Sequence, residues 1–191
     1  DAKLREEMRG EIRDLVKRLG ITTVYVTHDQ LEALTMSDVV AVMDSGVIAQ
    51  QGPPEEIYER PRNRFVAGFI GRTNMVAAKI REIGASNGVG VADTERTTLR
   101  CVMAEDMQPG QEIAVCVRPE NIYIGDAGNG AEANHLPGRV TETSYLGDSL
   151  TCIVETEIGA LDIRLHPSKR IRAGEAVTLS LPVAACRAVR D

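Results

Sequence analysis

Apolar side chains at Leu4, Met8, Ile12, Leu15, Val16 and Leu19 recur every three or four residues, the spacing that lays them along one face of a helix. Gly20 stands where a left-handed C-terminal cap would stop that helix. The next run, Ile21-Thr22-Thr23-Val24-Tyr25-Val26-Thr27, has no charge and many β-branched residues, which predicts a parallel strand buried on both faces. Asp29 with Glu32 three residues later reads as a capping box for a helix over residues 30–36. Residues 39–43 and 47–50 read as two strands of a hairpin around the turn Asp44-Ser45-Gly46. Pro53-Pro54-Glu55-Glu56 opens a further helix that Pro61 ends, and residues 64–70 form a short one closed by Gly71.

The pattern changes near residue 72. Beyond it Gly, Pro and Asn punctuate short β-type runs at 75–81, 98–102, 112–117, 138–146, 150–155, 161–165 and 176–181. Regular short strands of this kind predict a small barrel or sandwich. Residues 125–134, small and polar, read as a mobile loop. Gly88-Val89-Gly90 lacks the third glycine and following helix of a dinucleotide fingerprint and reads as a turn.

Composition narrows the function classes. Twenty-two basic against 28 acidic residues give a net charge of −6, and with 2 Phe, 4 Tyr and no Trp there are few stacking platforms, so a nucleic-acid partner is not expected. No stretch approaches the ~18 apolar residues of a membrane span. Cys101, Cys116, Cys152 and Cys186 are far apart in the sequence, form no C-x-x-C, and read as small buried apolar residues rather than metal ligands or disulfides. The charged start, without an initiator Met, reads as part of a longer chain.

His28 follows the apolar run, at the strand end where α/β sheets bind ligands, and an imidazole there can donate a hydrogen bond to a phosphate. The same position also suits a partly buried His satisfied by a backbone carbonyl. Asp44 after four apolar residues imitates a metal-binding strand end, but Ser45-Gly46 make it a turn residue. His135 and His166 lie beside prolines and read as exposed turn residues. Arg118, Arg139, Arg164, Lys169, Arg170 and Arg172 could form an anion patch, or simply a solvated face.

The run Val24-Tyr25-Val26-Thr27-His28-Asp29-Gln30-x-Glu32-Ala33 resembles the switch segment of ATP-binding-cassette importer ATPases. So do Asp38-Val39-Val40-Ala41-Val42-Met43-x-x-Gly46-x-Ile48-x-Gln50-x-Gly52-x-Pro54-x-Glu56-Ile57-Tyr58-x-x-Pro61 and Phe65-Val66-Ala67-x-Phe69-Ile70-Gly71-x-x-Asn74. Val117-Arg118-Pro119-Glu120-x-Ile122 and Tyr145-Leu146-Gly147-Asp148 resemble the oligonucleotide-binding-like (OB-like) TOBE barrel of the maltose, polyamine and ferric-ion importer ATPases. The tract around Arg118-Pro119-Glu120 and residues 174–191 are more similar to polyamine or ferric-ion importers than to maltose ones. Asn134-x-Leu136-x-Gly138-x-Val140 faintly resembles the oxyanion-binding barrels of molybdate importers.

The resemblance implies an α/β fragment, the end of a P-loop NTPase nucleotide-binding domain, over residues 1–72, and an all-β OB-like TOBE barrel for regulation and dimerisation over 73–191. It implies that His28 contacts the γ-phosphate of ATP and that Asp1 is the aspartate at the interface between two ATPase subunits. It further implies ATP with Mg²⁺, permease subunits, a second copy of the ATPase subunit, an indirect link to a solute-binding protein, and a peripheral place on the cytoplasmic face of the membrane. The departures matter equally. The sequence has no Gly-Lys pair, hence no P-loop, and no Gly-Gly for the family's signature loop. A lone His cannot replace the phosphate cradle and metal that supply nearly all the catalytic stabilisation, so this polypeptide is expected not to hydrolyse ATP alone. Residues 1–72 should instead self-associate through exposed Val24, Val26, Val40 and Val42, or be poorly ordered. The alternative function is a stand-alone barrel that senses a small anion or a protein partner.

Overall fold

A computed structural model describes residues 2–84, 88–126 and 132–191 of the chain. They fall into two compact units, Asp1–Pro61 and Arg62–Asp191.

The first unit opens with α1 (Ala2–Leu19), closed by Gly20 in a left-handed conformation, with the Ile21 amide reaching back to the Val16 carbonyl. Leu4, Met8, Ile12 and Leu15, the stripe that the periodicity marks, are exposed. Residues 21–27 depart from the expected buried strand: no ladder pairs them, and Val24 and Val26 are 88% and 90% exposed. The residues are built for a sheet interior, but among the described residues no strand lies beside them. α2 (Gln30–Met36) has the expected bounds. β1 (Val40–Asp44) and β2 (Val47–Gly52) form the expected hairpin. Its turn residues Ser45 and Gly46 both have positive φ (48° and 84°), the geometry that matches strand twist in a two-residue connection. Val40 and Val42, expected to be exposed, are buried (6% and 3%), because alternation along β1 puts both on the one face of the strand that is covered. α3 (Pro54–Glu59) buries Ile57, and Gln50 Nε2 donates to the Arg60 carbonyl across the chain's return.

The second unit begins with α4 (Arg64–Phe69), capped by Asn63, whose side chain accepts from the Val66 amide. Ala67 packs with Ala114, Cys116 and Val189. The strands follow: β3 (Asn74–Ile83), β4 (Val89–Asp93), β5 (Thr98–Val102), β6 (Glu112–Val117), β7 (Tyr123–Ile124), β8 (Ala133–Tyr145), β9 (Leu150–Thr156), β10 (Gly159–Leu165), β11 (Ala176–Pro182) and β12 (Arg187–Val189). β4, β7 and β12 are absent from the sequence reading. The segment that reads as a turn at Gly88-Val89-Gly90 enters β4, because Val89–Asp93 pairs along its whole length with β5. The expected loop over 125–134 lies partly outside the described residues, and its last two residues, Ala133 and Asn134, already belong to β8.

The strands make a closed barrel, β12-β5-β4-β3-β6, and a five-stranded sheet, β10-β9-β8-β11-β7. The two are copies of one design. β3 pairs with β4 and β6 as β8 pairs with β9 and β11, and both first strands slip register at the same place, between Ile80 and Glu82 and between Val140 and Glu142. Gly110 (φ 86°) donates to the Ile80 carbonyl, and Gly174 (φ 89°) donates to that of Val140, each bond 2.7 Å. A side chain at either glycine would strain the same turn. Each repeat hands its last strand to the other: β7 pairs with β11, and β12 pairs with β6. One apolar core, including Leu99, Ile113, Leu161, Ile163, Leu179 and Leu181, fills both.

Two asparagines stitch the copies together. Asn74 Oδ1 accepts from the Asp162 amide (2.7 Å) while its Nδ2 donates to the Asp162 carbonyl (2.8 Å) and to that of Val117 (3.3 Å). Asn134 Oδ1 accepts from the Arg100 amide (2.7 Å) while its Nδ2 donates to the Arg100 carbonyl (2.9 Å). In both, a side-chain amide takes the place of a backbone neighbour on a strand of the other repeat, which satisfies edge groups that burial would otherwise strand.

Candidate functional site

The chemistry-bearing residues of the first unit gather where residues 21–27 run into α2. Thr27 Oγ1 accepts the Asp29 amide (2.9 Å), a tight turn with His28 at its centre. Asp29 caps the helix: its Oδ1 accepts the amides of Leu31 (2.9 Å) and Glu32 (3.2 Å). The reciprocal arm of the expected capping box is rerouted. Glu32 does not reach the Asp29 amide; its Oε2 accepts from Thr27 Oγ1 (2.7 Å) and from the Tyr25 hydroxyl (3.2 Å). The negative charge of Glu32 beside it raises the Tyr25 phenol above its ordinary range. α1 braces the same helix: Arg9 Nη1 lies 3.9 Å from Asp29 Oδ2, and Arg13 donates to the Thr35 carbonyl. His28 itself is exposed and makes no hydrogen bond among the described residues, so the carbonyl-satisfied alternative does not hold. The turn thus offers an imidazole to solvent from a backbone fixed on both sides.

The other expected residues are placed as follows. Asp1 lies outside the described residues. Asp44 ends β1, and its carboxylate accepts from the Ser45 hydroxyl (3.0 Å), a turn role. No group of three His, Cys, Asp or Glu that could hold a metal ion occurs among the described residues. His135 is in strand β8 rather than a turn. It is exposed, with Nδ1 3.0 Å from Ser180 Oγ; since that hydroxyl donates to the Gly125 carbonyl, it accepts from the ring. His166 sits in the exposed turn after β10, its Nδ1 2.8 Å from Ser168 Oγ. Three of the six basic residues are held by separate partners. Arg118 is buried and donates to the carbonyls of Ala67 and Arg72 (3.1 Å each), clamping α4 to the barrel. Arg164 is drawn to Asp148 (3.3 Å), and Arg139 donates to the Gly174 carbonyl. Asn134, read as part of an oxyanion motif, has its amide occupied by backbone.

All four cysteines are free and buried. Burial pushes the thiols of Cys101 and Cys186 up to about 12 and that of Cys116 up to about 11, which leaves them protonated and unreactive at neutral pH.

A family model described as a TOBE domain matches residues 115–189. The spermidine/putrescine import ATP-binding protein PotA of Escherichia coli (strain K12) is 44% identical over 161 residues, covering 84% of this chain and 42% of the relative. Its counterpart from Shigella flexneri matches to the same extent. The chain therefore spans less than half the length of these curated relatives. Among solved structures, that of the cytoplasmic molybdate-binding protein ModG, with molybdate bound, is similar at a TM-score of 0.53 and 12% identity, covering 62% of this chain and 96% of that one. At that identity the likeness is one of fold alone.

Proposed function

The chain is related to the ATP-binding subunits of ATP-binding-cassette importers and carries a TOBE domain, and from that premise we propose that it serves the ATP-hydrolysing subunit of a polyamine importer. On this reading residues 1–72 close the nucleotide-binding domain and residues 73–191 are the regulatory and dimerising barrel. The observation that carries the reading is the identity of 44% over 161 residues, which runs through both parts of the chain. The exposed His28, offered from a turn fixed on both sides, supports it.

In this role His28 donates a hydrogen bond to the terminal phosphate of ATP, and Asp1 lies at the contact with a second ATPase subunit. ATP supplies the phosphoryl group and Mg²⁺ neutralises its charge when both are bound. The described residues provide no cradle or metal-ligand set for either, so this chain contributes the imidazole and its support, and the remainder of the pocket comes from elsewhere in the subunit. Permease subunits and, through them, a solute-binding protein are the remaining partners, at the cytoplasmic face of the membrane.

The test is polyamine uptake by the intact subunit with its permease in proteoliposomes. His28→Ala should retain ATP binding and lower ATP-driven uptake about a hundredfold, the scale of removing one transition-state donor. Uptake at the original rate would overturn the assignment.

A further inference from the structure

We propose that Thr27 and Glu32 are positioning residues for His28, forming a relay that aims the imidazole without touching it; this rests on the reading of His28 given above. The start of α2 departs from an ordinary capping box. Glu32, at the third helical position, is placed to accept the Asp29 amide directly, as a capping box would have it. That amide is bound instead by Thr27 Oγ1 at 2.9 Å, and Glu32 Oε2 binds the Thr27 hydroxyl at 2.7 Å. Inserting Thr27 into the circuit adds nothing to helix capping, which Asp29 already provides at Leu31 and Glu32. What it adds is a closed turn around His28. The residue before the histidine and the amide after it are tied to each other, and the tie is oriented by a carboxylate on the helix.

A threonine hydroxyl has one proton and can point it in three staggered directions. With Glu32 as the acceptor, the proton points at the helix and a lone pair faces the Asp29 amide. Without that acceptor the hydroxyl rotates freely and the amide bond weakens. Tyr25, donating to the same carboxylate oxygen at 3.2 Å, holds Glu32 in place from the extended segment. His28 has no side-chain bond among the described residues, so its direction depends on this backbone alone. A small error in aim is costly at a reacting phosphate, since a misplacement of about 1 Å can cost about a hundredfold in rate.

The inference predicts a split between chemistry and binding in the intact subunit. Thr27→Val and Glu32→Ala should each lower kcat for ATP about tenfold and leave KM within about twofold. Thr27→Ser and Glu32→Gln keep a hydroxyl and an acceptor at the same points and should restore most of kcat. In the chain described above, exchange of the Asp29 amide should be at least about tenfold faster in Thr27→Val than in the parent, which keeps the inference testable if the subunit variant fails to assemble. A dead His28→Ala variant beside a fully active Thr27→Val variant would overturn this inference and leave the reading of His28 standing. A silent His28→Ala variant would overturn both. Unchanged Asp29 exchange, or a Glu32→Gln variant as impaired as Glu32→Ala, would also overturn the relay.

Discussion

Replacing Asn74 with alanine should open the seam between the two repeats. The side chain is 7% exposed and makes two short bonds to the backbone of Asp162, 2.7 and 2.8 Å, with a weaker third of 3.3 Å to the Val117 carbonyl. Losing the two short bonds costs ~1 kcal/mol each, and the weaker third together with the unpartnered Asp162 groups in a part-buried seam adds ~1 kcal/mol more. The total is about 3 kcal/mol, or a fall of about 10 °C in melting temperature for a unit of this size. Asn74→Asp should be no better, because it keeps the acceptor for the Asp162 amide but turns a second acceptor toward the Asp162 carbonyl. Since Asn134 makes the equivalent bonds to Arg100, Asn134→Ala should cost the same within ~1 kcal/mol. Urea denaturation followed by far-UV circular dichroism, with amide exchange at Asp162 and Arg100, measures both. A loss below ~1 kcal/mol in either variant would refute the idea that these amides substitute for strand neighbours.

Further outcomes follow from the same structure. Gly138→Ala would set a Cβ 2.6 Å from Val154 Cγ1 and 2.9 Å from the Glu155 carbonyl, and should cost ~1–3 kcal/mol in the same urea assay. Arg118→Met should free the carbonyls of Ala67 and Arg72 and raise exchange of the Ile70 amide, which bonds to Val66, without loosening β8 to β10. Burial raises the Cys101 and Cys186 thiols from 9.0 to about 12, so the fold favours their protonated form; stability should be full below pH 9, fall as pH rises toward 12, and fall less steeply in Cys101→Ala after correction for its cavity. Light scattering should show self-association that a Val24→Lys, Val26→Lys double variant reduces; unchanged association would place the contact elsewhere.

The helix over Gln30–Met36 was legible because its signal is local: a cap, an acid and an apolar run read in order. β5 and β6 were legible for the same reason, β5 as a short alternation of apolar and polar residues and β6 as an apolar run after Glu112. β7 and β12 are two and three residues long and exist only because another repeat supplies the ladder, which no local pattern reveals. β4 was hidden by its glycine: Gly90 reads as punctuation, yet it is there because a Cβ would lie 2.5 Å from the Glu82 carbonyl. Residues 21–27 carry the composition of a sheet interior, but composition cannot say whether neighbouring strands lie in the same stretch of chain. At the candidate site, His28 and Asp29 stood out as residue types, whereas the Thr27–Glu32 link required coordinates. The duplication left a trace in the sequence. Asn74-x-Val76-x-Ala78-Lys79-Ile80 parallels Asn134-x-Leu136-x-Gly138-Arg139-Val140, and Gly110-Gln111 parallels Gly174-Glu175, each followed by alternating apolar residues. Comparing the chain with itself at an offset of about 60 residues finds it.

The traded end strands also govern how this unit assembles itself. The barrel begun at Asn74 is sealed by Arg187–Val189, so its closure waits for a strand that lies far along the chain. Neither half is a foldon in its own right, and a chain trimmed after Cys186 would breach the earlier barrel while sparing the later sheet. Such long-range closure favours slow, all-or-none folding. A half expressed alone would look for the missing strand in another molecule of itself.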